Sequence, residues 1–152
     1  MIHCRLLVEA DRERIIELGR QNVAELVPWL DFNLDRINGL VTRSLAGNLT
    51  FFVAEEDDEV IGYLVAEKVP YPASSGFYVD QRLFYVEPRK RGSRAAAKLF
   101  TGFVRWAELQ QAEEIFAGIG WGDRSVAASR WMRRFGFEPA GQQIMRRRVG
   151  SS

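Results

Sequence analysis

The chain has a single cysteine, Cys4, and a single histidine, His3. A lone thiol cannot close an internal disulfide, so a reducing compartment is expected. Nothing beside His3 in sequence pairs with it, and it reads as structural. Long uncharged apolar runs are also missing, and Glu9, Asp11 and Glu13 interrupt the first fifteen residues. That pattern argues against a membrane span or a signal peptide and points to a cytoplasmic protein. Internal repeats and low-complexity tracts do not occur. Two common nucleotide-binding signatures fail as well. Gly92 is not followed by the further glycines of a dinucleotide fingerprint, and no Gly-Lys-Ser/Thr of a Walker loop is present.

What is present fits one ordinary globular domain. The 152 residues are 47% hydrophobic and 27% charged, enough for one core and too few for two. Residues 1–149 are expected to form a single domain, with 150–152 a short tail. The formal net charge is only +1, yet it is segregated: residues 1–80 carry 7 basic and 14 acidic side chains, residues 81–152 carry 14 and 6. Such a skew suggests that the second half faces an anionic ligand.

Local patterns divide the chain. A first strand over Ile2–Val8 leads through the acidic cap Glu9-Ala-Asp11 into a helix over about Arg12–Leu26, which Pro28 ends. Leu34, Ile37, Val41 and Leu45 share one helical face, and Gly47-Asn48 stops that second helix. Strands follow over Leu49–Ala54 and Val60–Glu67, joined by Glu55-Glu-Asp-Asp-Glu59, which reads as a solvated hairpin tip and not a metal cage. Phe77–Val86 ends in Leu83-Phe-Tyr-Val86, apolar on both faces, the mark of a central strand. Ala96, Leu99, Phe103 and Trp106 predict a helix over Ser93–Gln110. A buried strand over Ile115–Ile119, a helix over Val126–Arg134 ending at Gly136, and a basic strand over Gln142–Val149 complete the chain. The class is α/β (α+β), one sheet with helices packed on it.

The most informative stretch is Val86-Glu-Pro-Arg-Lys-Arg-Gly-Ser-Arg-Ala-Ala-Ala-Lys-Leu-Phe100. Pro88 ends a strand, Gly92 permits a tight turn, Ser93 can cap, and Ala95 to Ala97 open a helix with side chains too small to shield its first amides. Those amides lack internal partners and, with the helix dipole, make an anion site suited to a pyrophosphate. The dipole supplies about 0.3–2 kcal/mol, whereas micromolar binding needs about 8 kcal/mol. Basic side chains and an apolar grip must supply the rest, which implies a large ligand with a phosphate in its middle.

Val86-x-Pro88 and Arg91-Gly92-Ser93-Arg94-Ala95-Ala96 resemble, in register, the central motif of the GNAT superfamily of acyl-CoA-dependent N-acyltransferases. The Arg-Gly-Ser-x-Ala-Ala form is similar to the phage- and prophage-associated branch. Ser125-Val-Ala-Ala128 and Phe135-Gly-Phe-Glu-Pro139 are similar to the family's final helix and its ending, and the resemblance covers nearly the whole chain. It implies a mixed, mostly antiparallel sheet of six to seven strands with a splayed parallel pair, flanked by about four helices. It further implies acetyl-CoA as acyl donor, with pantetheine on the backbone of Phe84, Tyr85 and Val86. The pyrophosphate would rest on the amides from Arg91 through Gly92, Ser93, Arg94 and Ala95 to Ala96, with Arg89, Lys90 and Arg94 at the rim. Ser125 stands where the family has asparagine. No metal is implied.

Acyl transfer needs a neutral amine. A lysine-like amine with pKa about 10.4 costs about 4.6 kcal/mol to deprotonate near pH 7, so a base is expected; Asp80 is best placed by register and Glu87 next. Tyr78 and Tyr85 could hold a water instead. The tyrosine that often protonates the departing thiolate falls at Met132, which cannot donate a proton. The expected activity is acetyl transfer by direct attack to a small-molecule amine or a protein amino group, with no membrane partner and with a homodimer compatible. Two other readings stay open: a CoA-binding module without turnover, and a nucleic-acid binder using Arg146-Arg-Arg148 and the basic turn. Trp29 and Phe32 can line an acceptor mouth or belong to the core.

Overall fold

The computed structural model describes residues 1–118, 125–141 and 144–148. In chain order its elements are β1 (Ile2–Leu6), α1 (Arg12–Leu26), α2 (Leu34–Leu45), β2 (Thr50–Glu56), β3 (Glu59–Pro70), β4 (Phe77–Val86), α3 (Ala95–Leu109), β5 (Glu114–Phe116) and α4 (Ser125–Arg133). Short 3₁₀ turns at Glu9–Asp11 and Pro88–Lys90 precede α1 and α3.

One sheet runs β1-β2-β3-β4-β5, antiparallel from β1 to β4 and parallel between β4 and β5. Helices cover both faces, which is why β3 reads as an almost continuous apolar run from Val60 to Ala66. On one face Ile15 and Leu18 of α1 and Ile37 and Val41 of α2 pack on Phe51, Val53, Tyr63, Val65 and Tyr85. On the other, α3 and α4 bury Leu99, Phe100, Phe103 and Met132 against Phe52, Leu64, Val79 and Val86. Phe100 is the hub of that second core, its ring between 4.8 and 5.9 Å from those of Phe84, Phe103, Trp131, Phe135 and Phe137.

The expected mixed sheet is present, but with five strands among the described residues where six to seven were predicted. The Ile115–Ile119 strand is shortened to Glu114–Phe116, and Ile119 lies outside the described residues. Of the predicted Gln142–Val149 strand, residues 144–148 carry no strand; Gln142, Gln143 and Val149 lie outside the described residues. Arg147 stacks on Trp29 at 3.7 Å instead of joining a ladder.

The 55–59 turn also departs from expectation. Asp57 and Asp58, with φ of +52° and +64°, form the turn itself, and Glu59 beside them is exposed as well, whereas Glu55 and Glu56 are half-buried. Glu55 pairs with Arg5, Glu56 with Lys90, and Glu59 with both Arg14 and Arg89. Five adjacent carboxylates are tolerable because tertiary structure brings cations to three of them.

Close packing of α3 on β1 depends on Gly102, where a Cβ would lie 2.8 Å from Cys4 Sγ. Cys4 behaves as the small apolar filler expected of it, and burial raises its thiol pKa against a smaller opposing effect of Lys98. Gly102→Ala is expected to cost about 1 kcal/mol through overpacking. Thermal denaturation of Gly102→Ala alone and with Cys4→Ala checks this, because the second change removes the clash and restores most of the loss.

Candidate functional site

The parallel pair that joins β4 to β5 is brief: Tyr78 pairs with Glu114, Val79 with Ile115 and Asp80 with Phe116. Beyond that point the Gly118 amide donates to Gln81 Oε1 at 3.1 Å, so a side chain stands where the next backbone bond would be. The β3 and β4 register also shifts between Val65 and Ala66, which adds a residue to β4 just past Gln81. Past the Gln81–Gly118 contact no described strand pairs with β4 on its β5 side, so among the described residues that edge of β4 is open toward its C-terminal end, the cleft considered below.

Hydrogen-bond alternation decides what lines that cleft. Glu87 N–H donates to Ile61 O at 3.0 Å, and Tyr85 stands opposite Tyr63 in the same register. Residues 83, 85 and 87 therefore turn their peptide groups to β3, while those of Phe84 and Val86 face the cleft. Tyr85, predicted as a backbone contact for pantetheine, has its peptide paired within the sheet. Its side chain lies on the α1 face, where the hydroxyl donates to Glu25 Oε2 at 3.1 Å. Burial pushes the Tyr85 pKa up to about 12, and the Glu25 carboxylate adds to the rise.

Past Val86 the chain turns at the open end of the cleft. Gly92 adopts φ of +86°, a left-handed conformation that a side chain would strain although nothing crowds the position. The amides of Arg91 and Ser93 donate back to Pro88 O and Lys90 O, both at 3.2 Å, and that of Ala95 to Ser93 Oγ at 3.2 Å. Ser93 thus satisfies one amide at the helix start from outside it, because the N-cap position falls to Arg94, whose side chain makes no cap bond. The amides of Gly92, Arg94, Ala96 and Ala97 have no partner among the described residues, so the predicted row of nitrogens is half committed and half open.

The basic side chains of the turn are distributed differently from the sequence reading. Arg89 pairs with Glu59 and Glu87, Lys90 with Glu56, and Arg91 with Glu25 while its Nε donates to Val86 O at 3.1 Å. Those three each meet a first-half carboxylate, so at this turn the charge segregation seen along the chain is closed inside the fold. Arg94 has no ion pair among the described residues and lies beside α3 facing β1, away from the cleft.

Of the two candidate bases, Asp80 is the last β4 residue to pair with β5, where the cleft begins. Its carboxyl is held above the usual value by burial, with Arg82, 4.0 Å away, pulling it down and Glu67 pushing it up. Glu87 is buried on the α1 side. It accepts from Arg14 Nη2 at 2.9 Å and lies 2.7 Å from Arg89 Nη2, close enough for an ion pair though not aligned as a hydrogen bond. Beside Asp80 the rings of Tyr71, Tyr78 and Phe116 form a wall, with centroids 5.2 and 5.3 Å apart. Tyr71 donates to the carboxylate of Glu114.

Met132 is buried under α4 in the aromatic core. Ser125 begins α4, and its side chain lies outside the described residues. Phe32 packs in the α1 and α2 core, whereas Trp29 is half-buried under Arg147. Gln81 and Glu25 were not foreseen. Neither belongs to a motif, and their roles arise from contacts 37 and 66 residues away in sequence.

A split parallel pair leading to a basic turn and an exposed helix start can be compared with known proteins. The acetyltransferase (GNAT) domain family matches residues 47–139, more than half of the chain. No curated protein sequence matches. Among solved structures, the aminoglycoside acetyltransferase AAC(6')-Iy in complex with a CoA bisubstrate analogue is 20% identical, covers 97% of this chain and 98% of its own, and has a TM-score of 0.77. A predicted acetyltransferase with acetyl-CoA from Clostridium acetobutylicum is 15% identical over 97% and 96%, with a TM-score of 0.75. A ribosomal-protein-alanine N-acetyltransferase from Brucella melitensis biovar Abortus 2308 is 14% identical over 97% and 99%, also at 0.75. Identities this low speak for the fold, and the family match supplies the rest: the chain belongs to the GNAT acetyltransferases, which take the acyl group from acetyl-CoA.

Proposed function

We propose that this protein acetylates a primary amine by direct attack on acetyl-CoA lying in the cleft between β4 and β5, with Asp80 receiving the amine's proton. The observation that carries the reading is the position of Asp80 at the point where the two strands part. Downstream of it lie the cleft-facing peptides of Phe84 and Val86 and the open amides of Gly92, Arg94, Ala96 and Ala97. Phe84 and Val86 would pair with pantetheine, and the turn amides would hold the diphosphate. A cleft-facing N–H would polarise the thioester carbonyl.

In the transfer, the amine nitrogen bonds to the carbonyl carbon, the C–S bond breaks, and CoA departs as a thiolate. Asp80 takes one ammonium proton before the attack, helped by a carboxyl held above its usual pKa, and the second, shed by the nitrogen as the C–S bond breaks, passes to bulk water. Glu87, with both oxygens engaged by arginines, is assigned to hold the strand end to α1. A thiol with pKa near 8.5 leaves as its anion with little penalty near neutral pH, so buried Met132 is compatible with turnover. Tyr71, Tyr78 and Phe116 beside Asp80, Glu113 and Glu114 favour a small cationic amine as acceptor. The Arg-Gly-Ser-x-Ala-Ala motif supports the phage-associated branch, and the low cysteine content supports a cytoplasmic setting.

A second reading, CoA binding without turnover, is favoured by the absence of a proton donor at Met132. Thiol release from acetyl-CoA across a panel of polyamines, aminoglycosides and peptide amines, run beside calorimetry with CoA, separates the two. Amine-dependent thiol release supports acetylation, CoA binding with no release from any amine supports the module, and failure to bind CoA overturns both.

A further inference from the structure

We propose that the groove between β1 and α3 docks an extended acidic polypeptide segment, which adds to the β1 edge as a further strand. Strand pairing shows what the edge offers. Leu7 N–H donates to Phe51 O at 3.0 Å, in the register that sets Cys4 opposite Ala54. Residues 3, 5 and 7 therefore bond to β2, and the peptide groups of Ile2, Cys4 and Leu6 point outward. Among the described residues nothing pairs with this edge except Arg5 Nη1, which donates to Leu6 O at 3.2 Å.

Beside the edge lies a groove of about 760 Å³, floored by Cys4, Leu6 and Phe52 and walled by α3. Leu6 is 58% exposed there. Arg94, Lys98 and Arg105 line the wall at i, i+4 and i+11, and all three side chains are exposed. None has an ion pair among the described residues, whereas every cation of the neighbouring 89–91 turn is matched to a carboxylate. The unmatched positive charge of this face is thus concentrated along one open strand edge.

The spacings suit one kind of occupant. From Arg94 to Arg105 the helix rises about 16 Å, and five residues of β1 span about 17 Å. Arg94 and Lys98 are about 6 Å apart in rise, close to the roughly 6.8 Å between alternate residues of a strand. A segment paired to β1 would turn every second side chain toward α3, so acidic residues at alternate positions, with an apolar one over Leu6, meet the cations in register. Main-chain pairing with alternate side chains in pockets is how strand addition obtains affinity and specificity. A nucleic-acid backbone would use the same cations but not the outward N–H and C=O groups of Ile2 and Cys4.

The test uses the full chain saturated with CoA and a fluorescein-labelled ten-residue peptide with glutamate at alternate positions, followed by anisotropy. Binding is expected to persist with CoA bound. Lys98→Glu with Arg105→Glu should weaken it at least tenfold while acetyl transfer is unchanged, and N-methylation of alternate peptide amides should weaken it at least tenfold at constant charge. Equal binding of the N-methylated peptide, tighter binding of a single-stranded oligonucleotide of the same charge, displacement by CoA, or sedimentation showing the groove filled by a second copy would each overturn the proposal.

Discussion

Asp80→Asn is expected to lower kcat for acetyl transfer by about 10²- to 10⁴-fold, the usual range for loss of a general base, with little change in CoA affinity. Asparagine keeps the size and loses the ability to take a proton. The wild-type rate should fall on the acid side through a pKa above the ordinary 3.8, because burial and Glu67 disfavour the carboxylate more than Arg82 supports it. Asp80→Asn should lose that limb, and Arg82→Ala should move it further up. The sign for stability runs the other way. A carboxyl whose folded pKa is raised holds its proton more tightly in the folded than in the unfolded chain, so ionised Asp80 opposes folding as pH rises through its unfolded value. The asparagine variant should therefore be at least as stable as the wild type at neutral pH, which separates lost chemistry from lost structure. A pH profile of kcat at saturating acceptor, with thermal melts of both proteins, checks this; an unchanged kcat would remove Asp80 from the mechanism.

Ala96→Glu is the corresponding test of the cofactor turn. The Ala96 amide is one of those left open at the start of α3. A carboxylate on that residue faces a diphosphate with a repulsion of about 3 kcal/mol per unit charge at 5 Å and an effective dielectric of 20. CoA affinity should fall at least tenfold and by about a hundredfold. Ala96→Gln, nearly the same in bulk but neutral, should lose far less, and calorimetry with CoA measures both. If the two variants bind CoA equally, charge at this turn is irrelevant and the diphosphate lies elsewhere.

Local chemistry was enough to place much of this molecule. Pro28, Gly47, Pro88 and Gly136 punctuate the chain, and the helices over Arg12–Leu26 and Leu34–Leu45 and the strand over Phe77–Val86 follow from periodicity between such stops. These elements are legible because caps, breakers and apolar spacing act within a few residues. The anion-binding turn is legible for the same reason: Gly92, Ser93 and the three alanines alter one short piece of backbone.

Long-range pairing was not legible. Arg89, Lys90 and Arg94 looked available to phosphates, but Arg89 is claimed by Glu59 and Glu87 and Lys90 by Glu56, while Arg91 pairs with Glu25, 66 positions away. Only the fold brings those charges together. Gln81 carries no motif, yet its side chain stands where β4 leaves β5, and the alternation that gives Phe84 and Val86 to the cleft while keeping Tyr85 in the sheet depends on register with β3. Sequence by itself determined where the backbone turns and which faces are apolar, since those are set by each residue's own geometry and its near neighbours. Tertiary structure alone decided which charges are spent and which peptide groups remain open, because both depend on strand register and on ion pairs between segments far apart in the chain.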